Sequence, residues 1–214
     1  MSAKLHSLFT TPVAVVPVAD AAALNTELKA VIAARRRVEA GVQRSNIGGW
    51  QSEIDMLDWG GGAARRLAAL VTQACDAWTT SVDDDRSVVW RPEIWANVNV
   101  HGSSNQTHWH PGSYLSFVYY VDDGYAGSSD KALGGEIVFI DPRMPFLRMR
   151  TPALRHRGAG GQTAEQETWV RPFSGLLIGF PSFLGHSVRA YLGRTERISI
   201  AINMVARRAP GAKP

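Results

Sequence analysis

Cysteine occurs once in 214 residues, at Cys75, and that scarcity removes whole classes of chemistry. A single thiol excludes an intrachain disulfide and every cysteine-built zinc or iron–sulfur site. Cys75 lies on the apolar stripe of an expected helix, where a free cysteine behaves as a small core side chain. Long apolar runs are also missing: no stretch approaches the roughly 20 residues that span a bilayer as a helix. The opening stretch MSAKLHSLFTTPVAVVPVAD is interrupted by Pro12 and Pro17 and has no small-residue cleavage site, so it reads as the first strand of a cytoplasmic protein. Charge is not concentrated either. The net charge of +4 is spread along the chain, with clusters at Arg35, Arg36 and Arg37 and at Arg207 and Arg208. No nucleic-acid motif accompanies them, so neither nucleic acid nor a membrane is expected as a partner. There is no internal repeat and no low-complexity tract.

What is present suffices for one domain over residues 1–214. Hydrophobic residues make up 45% and charged residues 20%, an ordinary balance for a chain that buries a core. Asp20 can cap a helix whose apolar positions Leu24, Leu28, Val31 and Ile32 recur at helical spacing and whose end is basic. A second helix follows Gly60, Gly61 and Gly62, with Leu67, Leu70, Val71, Ala74, Cys75 and Trp78 on one stripe. Both would pack on a sheet. Between them, residues 44–60 are polar and glycine-rich, and carry Trp50 and Trp59, which need a surface to lie against.

From about residue 88 the periodicity turns from helical to alternating. VVWRPEIWANVNV, HWHPGSYLSFVYYV, GGEIVFI, ETWVRP, GLLIGFP, HSVRAYL and ERISIAINMV are separated by turn residues, which predicts a sandwich or barrel of antiparallel strands. The chain thus divides into a strand and helical support region (1–87), a β core (88–205) and a basic tail (206–214). Two longer polar stretches, 122–135 and 155–167, interrupt the core. The second, RHRGAGGQTAEQE, has the length and composition of a mobile flap at a barrel mouth.

Chemistry concentrates in three places. His108 and His110 stand two apart in HWHPGS, so on a strand both imidazoles share a face while Trp109 points away. Such a pair can chelate a metal or be only a polar pair. His186 opens a later strand, and Arg197 follows beyond the Leu192-Gly193 turn, so a hairpin would bring both into one pocket. Arg197 and Ser199 share a face opposite Ile198, Ile200 and Ile202, and a guanidinium beside a hydroxyl is a carboxylate clamp. Asn97 and Asn99 share a strand face with Trp95 and His101, opposite Ile94, Ala96, Val98 and Val100. That polar face either lines the barrel interior or meets water. Tyr114 and Tyr120 have the parity of the H-x-H face if the strand is unbroken, although Pro111-Gly112 can reset the register. His6 and His156 have no partners in sequence and read as solvent-exposed.

An H-x-H, a distant histidine and then Arg-x-Ser resembles the iron(II) and 2-oxoglutarate-dependent oxygenases. More narrowly, WANVNVHGSSNQTHWHPGSYLSFVYYV, GGEIVFIDPR and FPSFLGHSV with RISIAIN are similar to a group of bacterial and phage members, over about residues 90–204 and the SNIGGWQS segment. The resemblance implies a double-stranded β-helix, a cupin-like jelly-roll, in a mostly β chain with flanking helices. It implies His108 and His186 as ligands of Fe(II), Arg197 as the 2-oxoglutarate anchor with Ser199 assisting, and O2 as co-reactant. Tyr120 and Asn99 are further candidates for holding the cosubstrate. The departure lies at His110, where most of the superfamily has aspartate or glutamate. Either His110 completes an all-histidine triad, or Asp141 in FIDPR or Glu136 in GGEI supplies a carboxylate.

The activity implied is hydroxylation of an unactivated carbon. Halogenation is disfavoured because a ligating His110 fills the position that a halide needs. Trp109, Asn97, Trp50 and Trp59 are the expected substrate walls, and aromatic walls with a few amides suit a small polar molecule such as an amino acid or biosynthetic intermediate. A protein or peptide side chain is the alternative. Two other classes compete: a cupin-like metal protein that does not use 2-oxoglutarate, and a β-barrel binding protein with a structural metal. The Arg197-x-Ser199 clamp argues against the first. A homodimer is left open.

Overall fold

The fold is given by a computed structural model that describes residues 4, 6, 8–82, 88–144, 153–163 and 165–209. The end of the basic tail, 210–214, and Ala164 in the expected flap lie outside the described residues. The support region opens with β1 (Ala14–Pro17) and α1 (Ala21–Arg36), followed by the two-residue strands β2 (Asn46–Ile47) and β3 (Trp50–Gln51). A single turn, α2 (Met56–Trp59), leads into α3 (Gly61–Trp78). The alternating region then folds as β4 (Val88–Asn99), β5 (Ser104–His108), β6 (Leu115–Asp122), β7 (Ile137–Ile140), β8 (Glu167–Val170), β9 (Leu176–Pro181), β10 (His186–Val188) and β11 (Arg197–Arg208).

These strands make two facing sheets. One has the order β1-β9-β6-β11-β4-β3 and the other β2-β5-β10-β7-β8. Four core strands lie in each, β9, β6, β11 and β4 against β5, β10, β7 and β8, which is a double-stranded β-helix flanked by helices. The backbone of the larger sheet is one long antiparallel ladder, from Arg197 opposite Asn99 to Arg208 opposite Val88.

The alternation has an unusual meaning here, because both faces of the larger sheet are covered. Ile94, Ala96 and Val98 of β4, Phe117 and Tyr119 of β6, and Ile200, Ile202 and Met204 of β11 turn one way, into a core with Leu28 and Ile32 of α1 and Leu67, Val71 and Cys75 of α3. Each such aliphatic side chain contributes about 1.5–3 kcal/mol on burial. Their neighbours in sequence turn the other way, toward the second sheet. There Tyr120, Leu176, Ile178 and Phe180 meet Ile137, Phe139 and Leu184 in a smaller core. Cys75 is wholly buried, and burial pushes its thiol up to about 12, so it packs rather than reacts.

The helices dock through specific contacts. The Tyr119 hydroxyl donates to Asn25 Oδ1 of α1 at 2.6 Å, both buried. Trp78 at the end of α3 stacks on Phe117 at 5.3 Å between ring centroids. Gly179 of β9 makes room for this pair: a Cβ there would stand 2.4 Å from Trp78 and 2.6 Å from Phe117. α1 covers the expected span, but Asp20 does not cap it. Its backbone is left-handed, at φ 52°, and its side chain makes no capping hydrogen bond.

Two expectations about register are corrected. Residues 108–121 are not one strand: β5 stops at His108, and a turn with Gly112 at φ 92° precedes β6. Nor do His186 and Arg197 sit on a hairpin. β10 pairs with β5 and β7, whereas β11 pairs with β4 and β6, so the two residues belong to opposite sheets. Among the described residues, no helix is long and apolar enough to cross a membrane.

Candidate active site

Pairing of β5 with β10 sets His108 directly opposite His186. Their ring centroids are 4.3 Å apart, and each lies 5.0 Å from that of His110. One nitrogen from each of the three comes within 4.8 Å of the others, the only such group of metal-ligating side chains among the described residues. His110 lies past the end of β5, so the i, i+2 rule of a strand does not place it. Its backbone N–H instead donates to the Ser182 carbonyl at 3.2 Å, and its Nδ1 lies 3.3 Å from Asn203 Nδ2.

The tautomers follow from the partners. His108 Nδ1 is 2.8 Å from the Gln106 carbonyl and His186 Nδ1 is 3.0 Å from the Leu184 carbonyl. A carbonyl only accepts, so Nδ1 carries the proton in both rings and Nε2 keeps a lone pair. Burial, then the neighbouring His108, pushes His186 down to about 3 and His110 down to about 4. Burial also lowers His108, against the Gln106 carbonyl, which favours its charged form. All three are therefore neutral at neutral pH, as ligands of a divalent metal must be. Among the described residues no carboxylate joins them. Asp141 binds Arg143 locally, at 2.5 and 2.9 Å, and Glu136 lies buried 3.5 Å from Arg171.

Inward of the histidines is a narrow chamber of about 40 Å³, lined among others by Trp95, Asn97, Tyr120, Arg197 and Ser199. Arg197 is 2% exposed. Its Nη1 donates to Asn99 Oδ1 at 3.3 Å and its guanidinium carbon stands 5.0 Å from the Tyr120 ring centre, yet Nε has no partner. Tyr120 Oη is likewise buried and unpartnered. Among the described residues no carboxylate pairs with Arg197. A buried guanidinium without a counter-ion is expensive, and the missing partner fits an incoming carboxylate. Three neutral imidazoles beside such a clamp also fit a divalent ion, so the residues present accommodate both groups. Ser199 and Asn97 line this chamber; Asn99 stands outside it, as a partner of Arg197.

On the other side of His108 and His110 lies a larger groove of about 290 Å³, which Trp95, Trp109, Asn203 and part of the 42–54 segment also line. Trp109 is 55% exposed on its wall. Trp50 and Trp59 are not on it, contrary to expectation. Trp50 is 7% exposed in the helix-side core, its indole N–H donating to the Glu39 carbonyl, and Trp59 packs on the same core with its N–H on Asp55 Oδ1. The 42–54 segment does reach the groove, but through Arg44, Ser45, Gln51 and Glu53. The described part of 155–167 closes a small turn, with Arg157 bridged to Thr163, and lines a different depression with Asp141 and Arg143. Sequence reasoning left out Trp95 and Asn203 as site residues. Their signal was parity: each shares its strand's face with the polar residues of the chamber, and the Trp95 ring lies 5.8 Å from His110.

Comparison with known proteins agrees with this geometry. The model of a family described as "Putative 2OG-Fe(II) oxygenase" matches residues 93–203. No curated protein matches the chain. Among solved structures, a prolyl-4-hydroxylase from Pseudomonas putida is 20% identical with a TM-score of 0.62, over 95% of this chain and 96% of that one. A Trichoplax adhaerens prolyl hydroxylase in complex with a hypoxia inducible factor peptide fragment is 12% identical with a TM-score of 0.64, over 92% and 85%. HygX from Streptomyces hygroscopicus with nickel and 2-oxoglutarate bound is 15% identical with a TM-score of 0.57, over 94% and 84%. At these identities the likeness is one of fold.

Proposed function

Because the chain belongs to the 2OG-Fe(II) oxygenase family, whose members work with Fe(II), 2-oxoglutarate and O2, we propose that His108, His110 and His186 hold the iron and Arg197 anchors the cosubstrate. The observation that carries this reading is the buried Arg197, without a carboxylate partner among the described residues, lining the same chamber as the three histidines. When bound, iron and 2-oxoglutarate together supply the oxidising power that inserts oxygen into an unactivated C–H bond. The protein contributes the rest. Three neutral imidazoles would hold the metal, and the guanidinium fork with the hydroxyls of Ser199 and Tyr120 would hold a carboxylate of the cosubstrate.

The substrate then approaches from the outer groove, against Trp109 and Trp95. A groove of that volume, with amide, hydroxyl and charged side chains, suits a small polar molecule hydroxylated at carbon. A second reading rests on the exposed rim, where Arg44 and Glu53 face solvent and an extended peptide could lie across them. The test begins with anaerobic addition of Fe(II) and then 2-oxoglutarate, watching for the weak visible charge-transfer band of the chelate. Absence of that band in the wild type would return the protein to the cupin-like class. Succinate formation, screened over amino acids, small metabolites and peptides, then separates the substrate classes; activity confined to polypeptides or oligonucleotides defeats the small-molecule reading.

A further inference from the structure

His110 is held differently from its two partners. Backbone carbonyls fix Nδ1–H on His108 and His186, but His110 Nδ1 faces the side-chain amide of Asn203. That amide belongs to a buried chain: Ser116 Oγ donates to Asn203 Oδ1 at 2.9 Å and lies 2.9 Å from Ser182 Oγ, while the Ser182 carbonyl takes the His110 backbone N–H. Ser116 and Ser182 are 2% and 3% exposed. With the amide nitrogen toward the ring, Nδ1 must accept, which puts the imidazole proton on Nε2, where a metal would need the lone pair. A half-turn of the carboxamide exchanges its oxygen and nitrogen without changing its shape. Oδ1 then accepts from Nδ1–H and Nδ2 donates to Ser116 Oγ. Ser116 in turn donates to Ser182, since a hydroxyl serves either way.

We propose that Asn203 is a positioning residue for the third metal ligand. Through Oδ1 it selects the Nδ1–H tautomer of His110, and the Ser116–Ser182 pair satisfies the amide in that orientation. The inference rests on the reading that His110 ligates the metal through Nε2. A backbone carbonyl needs no such help, which is why only the ligand outside the strand has a side-chain orienter. Loss of an outer partner of a metal-bound imidazole typically costs 10–100-fold in affinity.

The experiment measures Co(II) binding by calorimetry and by the cobalt visible spectrum, with no turnover required. Asn203→Leu should weaken Co(II) about 10–100-fold. Asn203→Asp, an acceptor only, should bind within a few-fold of wild type or tighter. Equal loss in both variants, or no loss in Asn203→Leu, overturns the proposal. Circular dichroism checks folding. Should Asn203→Leu not fold, Ser116→Ala takes its place with a several-fold loss expected, and an unchanged affinity there overturns the proposal as well. Nitrogen-15 spectra of the Zn(II)-loaded wild type should show His110 protonated at Nδ1; metal on Nδ1 overturns it. His110→Ala separates the two levels. If it binds Co(II) like wild type, the all-histidine reading itself fails; if it loses Co(II) while Asn203→Leu does not, only the role of Asn203 falls.

Discussion

On one face of the six-stranded sheet, Ile94, Ala96, Val98, Ile200, Ile202 and Met204 meet α1 and α3; on the other, the same two strands turn Trp95, Asn97, Arg197, Ser199 and Asn203 toward the second sheet. Adjacent residues on one backbone thus serve opposite ends. The helix side is mostly apolar, and its buried Tyr119 hydroxyl is partnered by Asn25. Among the described residues the inner side keeps a buried cation without a counter-ion, a tyrosine hydroxyl without a partner and three imidazoles held neutral by burial. Each of these lowers the stability of the empty protein and is relieved by a ligand. Stability and function are therefore separable at single-residue spacing.

The sharpest way to break that separation is to remove a histidine. Alanine at His108, His110 or His186 should abolish or greatly weaken iron binding, read as metal stoichiometry, while the metal-free melting temperature stays close to wild type. If His110→Ala keeps full iron and Asp141→Ala or Glu136→Ala loses it, the triad is wrong. From the other face, Leu67→Ala should cost about 2–5 kcal/mol in urea unfolding and leave the 2-oxoglutarate requirement of the folded enzyme unchanged. A shifted requirement would mean that the faces are coupled.

Arg197 tests the inner face more finely. Lysine keeps the charge and loses the planar fork, so Arg197→Lys should raise the KM for 2-oxoglutarate about tenfold or more with metal affinity nearly intact. Arg197→Met, by removing an uncompensated buried charge, should raise the cosubstrate-free Tm by a few degrees. A fall in Tm would show that the guanidinium already has its counter-ion. Acid should act on the same face. The histidines titrate near 6.5 when unfolded, but His110 and His186 only near about 4 and about 3 when folded. Below pH 6.5 the unfolded chain therefore binds protons that the folded one refuses, and metal-free stability falls from about 6.5 down to about 3. Urea midpoints at pH 7.5 and 5 should differ less in His186→Gln than in wild type. The smallest effect belongs to Trp109→Ala at the rim: stability within about 0.5 kcal/mol, metal and cosubstrate affinity unchanged, and a raised KM for the substrate alone.

Much of this organisation is legible in the sequence alone. Strict alternation in EIWANVN and RISIAIN separates the two faces residue by residue, because a strand's period is two wherever its neighbours lie. Arg197-x-Ser199 stands out for the same reason, and His186 through the resemblance to the oxygenases. What could not be read was pairing over distance. Nothing local says that His186 pairs with His108 within one sheet rather than turning back on Arg197, since the chain crosses to the other sheet between β10 and β11. The fates of Trp50 and Trp59 depended likewise on β3 adding to the edge of β4 and on α2 folding beneath it. His110 was assigned for an incomplete reason: it joins the cluster through Ser182 and Asn203, after the strand that was to carry it has ended.

The same topology governs when the site comes into being. Arg197 meets Asn99 across 98 residues of chain, and Asn203 meets His110 across 93. Such closures come late and slowly in folding, after the entropy of large loops has been overcome. No partial chain holds the chamber, so a metal ion present during refolding has nothing to nucleate on. Iron should leave the folding rate unchanged and slow unfolding instead, acting as a latch on a barrel that has already closed.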